Sequence, residues 1–384
     1  MLFSYFHLMP YIHMPEDYVE KLGTSWATIP NTYYDPELGH ELYNEYLDIL
    51  ERADELGFDA ICVNEHHQTC YGLMPSPNVI AAALARRTSR SKIAILGNAI
   101  NLRDHPLRVA EEVAMLDVIT KGRIVSGIVR GIGSEFTSFS MDPTTSRDRF
   151  YEALDLILRA WTEPGPFAFE GKHYNFRYVN PWPRPYQKPH PPIWMPSMGS
   201  AETISFAAEH RYPYIQIFSP FSQVKLLHEE YKEEARKFGY EASPEQLGWA
   251  VPIYVAETDE IAWKEAEPHI DCLFNRYLRM TPQLLFPPGY VSEKSMARIL
   301  GDKMKTMGKR VEPRGLLEKR MILVGSAETV RQQLEECRKE SGLGLLVAVL
   351  HFGSLPHDLA RKNLELFAEG VMSHFRKEAA ATVA

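Results

Sequence analysis

The chain has 384 residues, of which 45% are hydrophobic and 24% are charged, and its formal net charge is −8 at pH 7. This composition is typical of a globular protein with a large core, and the acidic charge argues against a nucleic acid or an anionic membrane as partner. The four cysteines are too few and too irregularly spaced to predict a disulfide framework or a zinc site. Because no apolar run approaches the ~18 residues of a membrane span and the first residues lack a basic segment, we expect a soluble cytoplasmic protein.

Strand-like apolar runs alternate with amphipathic helical segments through most of the chain, which predicts a parallel sheet. Most runs are continuous rather than alternating, as expected for strands that are covered on both faces. The candidate strands are residues 2–8, 59–64, 92–98, 123–129, 192–195, 213–218, 249–256 and 345–352. Eight strands with intervening helices, two of them at 106–119 and 146–162, favour an α/β fold with a closed (β/α)8 TIM barrel. Counting strands leaves an open doubly wound sheet as the alternative.

Three long segments interrupt this alternation within a predicted single domain of residues 1–375. Residues 9–37 are rich in Pro, Tyr and Asn and form a long loop, and residues 163–192 contain many prolines and predict a hairpin-like excursion. Residues 268–320 are charged and irregular, and they form either a lid over the active site or a peripheral insertion, because long loops in compact domains are usually functional or mobile. We expect residues 376–384 to be a frayed tail.

Polar side chains follow several of the predicted strands at their carboxyl ends, where α/β enzymes place their chemistry. Asn64-Glu65-His66-His67 follows the run 59–63, and Asn98 ends the run 93–97. A histidine there can donate, accept or take up a proton, or can simply be a buried structural residue. Adjacent residues leaving a strand point in opposite directions and no metal-ligand spacing occurs, so we predict no metal.

Two further motifs suit an anionic ligand. The glycine-rich turn 127–134 follows a strand and carries Arg130, whose guanidinium suits a phosphate, although a structural ion pair explains it equally well. The sequence Gly-Ser-Ala-Glu-Thr occurs at 199–203 and again at 325–329. Ser200 and Ser326 could both be helix N-caps, or one helix start could be free to receive a phosphate. The chain has no nucleophile elbow, Walker loop or recognisable catalytic triad.

Together these motifs resemble the bacterial luciferase-like flavin-dependent monooxygenase family. Their order and spacing carry the resemblance over roughly residues 40–210, with fainter similarity to about 355. The blocks concerned are Asn64-Glu65-His66-His67 and residues 97–112, 116–123, 127–131 and 192–200. Two departures from the light-emitting subunit, Val129 in place of a cysteine and a shorter stretch at 97–106, mean that light emission is not implied.

The resemblance implies a barrel that binds FMN across the carboxyl ends of its strands, and it carries roles over to particular residues. Arg130 would bind the flavin phosphate with the backbone of Ile132 nearby, and Gly97-Asn98-Ala99 would lie beneath the flavin ring, often with a non-proline cis peptide. His66 would act beside the reactive face of the flavin. The remaining implied cofactor contacts are Phe6 at the ring and Gly199, Ser200 and Thr203 at the phosphate, which leaves 325–329 as a structural cap.

The implied activity is a two-component monooxygenase that takes reduced FMN from a separate flavin reductase and reacts with O2 through a flavin hydroperoxide. One oxygen atom goes to a small organic substrate, and aromatic residues near the predicted pocket suggest an apolar or aromatic one. The resemblance also implies a homodimer. The alternatives are a deazaflavin- or flavin-dependent dehydrogenase or reductase on the same fold, and a flavin-binding protein without turnover.

Overall fold

The computed structural model describes residues 1–291 and 310–383, and its centre is a closed barrel of parallel strands. Among the described residues, the barrel strands are β1 (Leu2–His7), β2 (Ala60–Val63), β3 (Lys92–Ala99), β4 (Ile124–Val129), β7 (Ile193–Ser197), β8 (Tyr214–Ile217), β9 (Leu247–Ala256) and β11 (Leu345–His351). Each pairs in parallel with the next, and β11 pairs with β1 to close the ring. These are the eight strands that the apolar runs predict, so the (β/α)8 barrel is confirmed.

Helices cover the outside of the barrel. The α-helices of the described residues are α1 (Tyr18–Leu22), α2 (Pro36–Glu55), α3 (Pro77–Arg87), α4 (Leu107–Ile119), α5 (Gly133–Ser138), α6 (Ser146–Thr162), α7 (Ala201–Glu209), α8 (Phe221–Lys237), α9 (Asp259–Asp271), α10 (Pro282–Leu285), α11 (Pro313–Glu318), α12 (Ala327–Ser341), α13 (His357–Leu366) and α14 (Ser373–Val383). Two turns, Cys272–Tyr277 and Phe367–Met372, have π-helical hydrogen bonding. No helix in the described part of the chain is long and apolar enough to cross a membrane.

Three short strands lie outside the barrel. Strands β5 (Phe167–Glu170) and β6 (Asn175–Val179) pair antiparallel within the proline-rich excursion. Strand β10 (Leu323–Ser326) pairs in parallel with the second half of β9, which extends beyond the barrel wall. Strand β10 is not among the predicted strands, because its four residues ending in Gly-Ser are shorter than the apolar runs that indicate buried strands.

The residues predicted to form a frayed tail, 376–384, begin within the last helix, and the fraying itself stays a prediction. Helix α14 extends to Val383, and Arg376 Nη2 donates to the carbonyl oxygen of Gly57 at 2.5 Å. The alanines near the end have high intrinsic helix propensity, which favours this helix. The tail is therefore helical as far as the structure describes it.

Side chains of β1 alternate between the helices and the barrel interior, as in any strand. Phe3, Tyr5 and His7 point outward, since their rings contact Phe367, Phe58 and Tyr46. Ser4 and Phe6 therefore point inward, and Phe6 lies near the carboxyl end of the strand, next to Cys62 of β2. This is the end of the barrel at which the candidate site lies.

A chain of buried hydrogen bonds joins β1 to β11 at the same end. The amide of Met9 donates to His7 Nδ1 at 2.9 Å, so His7 carries its proton on Nε2, which lies 2.8 Å from His351 Nδ1. His351 Nε2 in turn lies 2.8 Å from the carbonyl oxygen of Leu355 and donates to it. Burial lowers the pKa of His351 to about 4 and that of His7 well below its usual value. Both rings are therefore neutral in the folded protein.

We expect the folded protein to lose stability as the pH falls below about 6.5. An unfolded histidine takes up a proton near its usual pKa of about 6.5, whereas His351 in the fold does so only near pH 4. The stabilisation is complete above the unfolded pKa and is lost on acidification towards the folded one. At pH 5 this linkage removes roughly 2 kcal/mol of unfolding free energy for one such residue. Urea unfolding of the wild type and of His351→Gln at pH 7 and pH 5 measures it. A pH dependence equal in both proteins would contradict the prediction.

Candidate functional site

A cavity opens at the carboxyl ends of β4 and β7, and two cationic side chains lie in its wall. Arg130 follows β4 directly, and Arg147 is the second residue of α6. Ser200 and Thr203 lie opposite them at the start of α7, which follows β7. All of these line the cavity together with Ile128, Val129, Phe150, Tyr151, Met195, Pro196 and Phe206. The structure thus brings together three of the residues expected to bind a phosphate, namely Arg130, Ser200 and Thr203.

Arg130 is held in place by groups that leave part of its guanidinium available. Nη1 donates to Ser146 Oγ at 3.0 Å and to the carbonyl oxygen of Tyr290 at 2.8 Å. The guanidinium also lies over the Tyr290 ring, 4.4 Å from its centroid. Within residues 1–291 and 310–383, Nε and Nη2 have no hydrogen-bond partner. A planar group with two unpaired donors at a cavity suits an oxyanion.

The helix start at Ser200 differs from its sequence repeat at Ser326. Ser326 Oγ accepts from the amide of Thr329 at 3.3 Å and caps α12, as predicted for a structural cap. Ser200 is at the N-cap position of α7 but makes no side-chain cap, so the interpretation of both serines as caps is wrong for Ser200. Its hydroxyl donates to Glu202 Oε2 at 2.7 Å. The first-turn amides of α7 therefore lack the side-chain acceptor that those of α12 have, and such amides favour an anion.

The residue before this helix start, Gly199, has a backbone that a side chain would not readily adopt. Its φ is +101°, in the left-handed region where glycine is favoured. The Gly199 amide donates to Ser197 Oγ at 3.2 Å. Its amide is therefore already bonded in this structure, and the residue next in the chain, Ser200, lines the cavity.

Arg147 is a member of the site that the sequence analysis did not identify. Its only local signal is its place at the beginning of α6, which comes after β4 and the short helix α5 and begins at the same edge of the barrel as Arg130. Arg147 Nη1 lies 3.4 Å from Glu202 Oε1. The side chain thus faces the start of α7 from across the cavity.

His66 follows β2 and makes one strong polar contact. Its Nδ1 lies 2.9 Å from Glu135 Oε1, and Glu135 is only 1% exposed. A buried carboxylate accepts, so Nδ1 carries the proton and Nε2 is the nitrogen left for another partner. Glu135 Oε2 also accepts from the amide of Ile132 at 2.8 Å. The Ile132 amide is thus occupied in this structure, where it orients Glu135, and its expected place near the flavin phosphate stays a prediction.

The neighbouring His67 points elsewhere. Its Nε2 lies 2.8 Å from Glu65 Oε1, so the two adjacent histidines bond different carboxylates. The Glu65 carboxylate also accepts hydrogen bonds from Nη1 and Nη2 of Arg103, at 2.8 and 2.7 Å, and from the amide of Ala99 at 3.2 Å. Burial opposes ionisation, but the hydrogen bond from His67 and the charge and hydrogen bonds of Arg103 outweigh it and lower the pKa of Glu65. This carboxylate fixes the end of β3 beside His66.

Asn98 lies at that strand end and is fully buried, with 0% exposure. Within the described residues neither its Oδ1 nor its Nδ2 has a hydrogen-bond partner. A buried amide without partners costs stability, so it is a candidate for contact with a ligand that carries its own polar edge. The preceding Leu96–Gly97 peptide bond is cis. Backbone at Gly97 and Gly127 approaches closely, since a Cβ on Gly97 would lie 2.7 Å from the Gly127 carbonyl carbon.

An aromatic wall encloses His66. The rings of Trp26 and Tyr71 each lie 5.1 Å from the imidazole and 5.0 Å from each other. Trp26 Nε1 donates to the carbonyl oxygen of Tyr277 at 2.8 Å, and Tyr290 OH donates to the carbonyl oxygen of Gly131 at 2.6 Å. The loop 9–37 and the first part of the insertion 268–320 therefore meet above the site. Residues 292–309 of the predicted lid lie outside the described residues.

Comparison with known proteins identifies the family and the fold. The family model described as luciferase-like monooxygenase matches residues 27–344. A curated relative, the oxygenase component of the flavin-dependent trigonelline monooxygenase of Acinetobacter baylyi, is 32% identical over 164 residues, which cover 42% of this chain and 45% of that protein. The chain therefore aligns with less than half the length of that relative.

Two solved structures show the same fold at low sequence identity. One is the oxygenating constituent of 3,6-diketocamphane monooxygenase of Pseudomonas putida in complex with FMN, with a TM-score of 0.72, 20% identity and coverage of 97% of both chains. The other is an F420-dependent secondary alcohol dehydrogenase in complex with an F420-acetone adduct, with a TM-score of 0.65, 16% identity, and coverage of 96% of this chain and 98% of that one. Since the family model spans most of the chain, this protein belongs to the luciferase-like flavin-dependent monooxygenase family.

Proposed function

We propose that this protein is the oxygenase of a two-component system, which binds reduced FMN from a separate reductase and uses O2 to oxygenate a small apolar or aromatic substrate. The observation that carries the proposal is the meeting of Arg130, Arg147 and an uncapped helix start around one cavity. A phosphate at one end of a ligand would satisfy these groups, and a planar ring at the other end would reach the barrel mouth. The name of the curated relative, an oxygenase component, supports a separate reductase.

The residues present fit a flavin. Arg130, Arg147, Ser200 and Thr203 would hold its phosphate, and the unpaired amide of Asn98 would bond a polar edge of the ring. Phe6, which is buried and points into the barrel mouth, offers an apolar contact. Reduced flavin, when bound, supplies the electrons that activate O2.

The chain itself would position groups, exclude water and handle a proton. Glu135 holds the proton on His66 Nδ1, which leaves Nε2 to accept or return a proton at the reacting centre. Trp26 and Tyr71 are 1% and 4% exposed and would keep water from that centre while giving the substrate an apolar wall. A non-catalytic flavin-binding protein would not need the buried His66–Glu135 pair.

A dehydrogenase that uses a deazaflavin is the second candidate, and the F420-dependent structural neighbour favours it. Titrations of the anaerobic protein with reduced FMN and with reduced F420 distinguish the two. We expect tighter binding of reduced FMN and, in a panel of apolar and aromatic compounds, incorporation of one atom from 18O2 into a product. Hydride transfer from reduced F420 under strict anaerobiosis, without any FMN-dependent product, would contradict the proposal.

A further inference from the structure

Glu202 contacts two residues of the candidate phosphate site although it carries a negative charge. Its carboxylate accepts from Ser200 Oγ at 2.7 Å and lies 3.4 Å from Arg147 Nη1. Both partners line the cavity that the phosphate would occupy. The carboxylate therefore holds donors that a phosphate oxygen would otherwise use.

The side chain of Tyr151, in the cavity wall, is influenced by the charges of Arg147, Glu202 and Arg130. Burial raises the pKa of Tyr151, Arg147 opposes the increase, Glu202 adds to it and Arg130 opposes it. The pKa of this one phenol thus depends on both guanidinium groups and on the carboxylate. The three side chains carry a combined charge of about +1, one less than the two arginines alone.

The charge of the ligand decides how well it matches this site. A phosphomonoester carries about −1.5 to −2 at pH 7, since its second pKa is about 6. A phosphodiester lacks that second ionisation. With Glu202 in place the site balances a single negative charge, and a dianion would be repelled by the carboxylate or would have to displace it.

We propose that Glu202 is an internal competitor for the phosphate: its carboxylate occupies Ser200 and Arg147, and it must be displaced before a phosphomonoester binds. This inference rests on the proposed flavin site. Glu202 would thereby weaken FMN binding and favour release of the flavin. It would also discriminate against dianionic phosphates in comparison with phosphodiesters.

The test compares Glu202→Gln with the wild type in binding titrations of oxidised FMN, the monomethyl ester of FMN and riboflavin. Glutamine keeps the size of the side chain but removes its charge. We expect Glu202→Gln to bind FMN about 10-fold more tightly, as for the loss of one like-charge contact of about 1.4 kcal/mol. The gain should be smaller for the methyl ester and absent for riboflavin, which has no phosphate.

The second copy of the repeat supplies a matched control. Glu328 has the same place in Gly-Ser-Ala-Glu-Thr but pairs with Arg331 beside a capped helix start, so Glu328→Gln should leave every affinity unchanged. Equal or weaker FMN binding by Glu202→Gln would overturn the inference and would mean that Glu202 orients Ser200 and Arg147 for the phosphate. If the wild type binds neither FMN nor riboflavin, the proposed function fails. Calorimetric titration with inorganic phosphate then tests the role of Glu202 independently of the flavin. Glu202→Gln should still bind phosphate more tightly than the wild type does.

Discussion

Replacing Arg130 with alanine is expected to weaken the binding of reduced FMN about 100-fold, which corresponds to roughly 3 kcal/mol for a lost charge-assisted contact. Nε and Nη2 of Arg130 have no partner within the described residues, and they line the same cavity as Ser200 and Thr203. Riboflavin lacks the phosphate that Arg130 would contact, so its affinity should change by no more than about twofold. Fluorescence titration with both flavins under anaerobic conditions measures the difference.

The variant Arg130→Lys keeps the charge but not the planar fork, so it should recover only part of the affinity. Arg331→Ala removes an arginine from α12, far from the cavity, and is the control for a general loss of charge. Arg147→Ala should have a smaller effect than Arg130→Ala, because Glu202 already offsets part of the Arg147 charge. Equal losses of FMN and riboflavin affinity in Arg130→Ala would show that the arginine supports the fold rather than the phosphate.

Replacing His66 with alanine is expected to abolish most oxygenated product while leaving flavin affinity nearly unchanged. His66 lies on the loop after β2 and is not among the residues that line the cavity with the two arginines, and its Nε2 is placed to take or return a proton. Loss of a general acid or base typically lowers the rate by 10²- to 10⁴-fold. We expect the oxygen consumed in the presence of a reductase to appear as free hydrogen peroxide instead of product.

Glu135→Gln tests the orientation of His66. The glutamine oxygen can still accept from the Ile132 amide, but its NH2 group then faces His66 Nδ1 and would move the imidazole proton to Nε2, so product yield should fall while flavin affinity stays unchanged. His40→Ala, at an exposed position on α2, is the control. Full product yield in His66→Ala would eliminate the catalytic role of His66 whatever the flavin affinity.

The barrel could be predicted from the sequence because its strands are apolar on both faces and are separated by amphipathic helices. Strands such as Ile124–Val129 and Leu345–His351 form continuous buried runs, which few other structures produce. The positions of Arg130 and His66 could be predicted as well, because Arg130 comes directly after β4 and His66 lies three residues after the end of β2.

Other parts of the site depend on contacts between residues far apart in the chain. Glu135 lies 69 residues from His66, and no local pattern indicates that the two side chains meet. Trp26 reaches His66 through a loop that is held by the carbonyl oxygen of Tyr277, 251 residues away. The difference between Ser200 and Ser326 arises because Glu202 accepts the Ser200 hydroxyl, whereas Glu328 pairs elsewhere. Identical five-residue sequences cannot distinguish these two outcomes.

A crystal structure of the protein with FMN would show the phosphate and the flavin ring in place. We expect phosphate oxygens within hydrogen-bonding distance of both Arg130 and Arg147 at the start of α7, with the flavin ring beside Asn98 and facing His66. A phosphate bound anywhere else, or a ring turned away from the imidazole, would contradict this expectation.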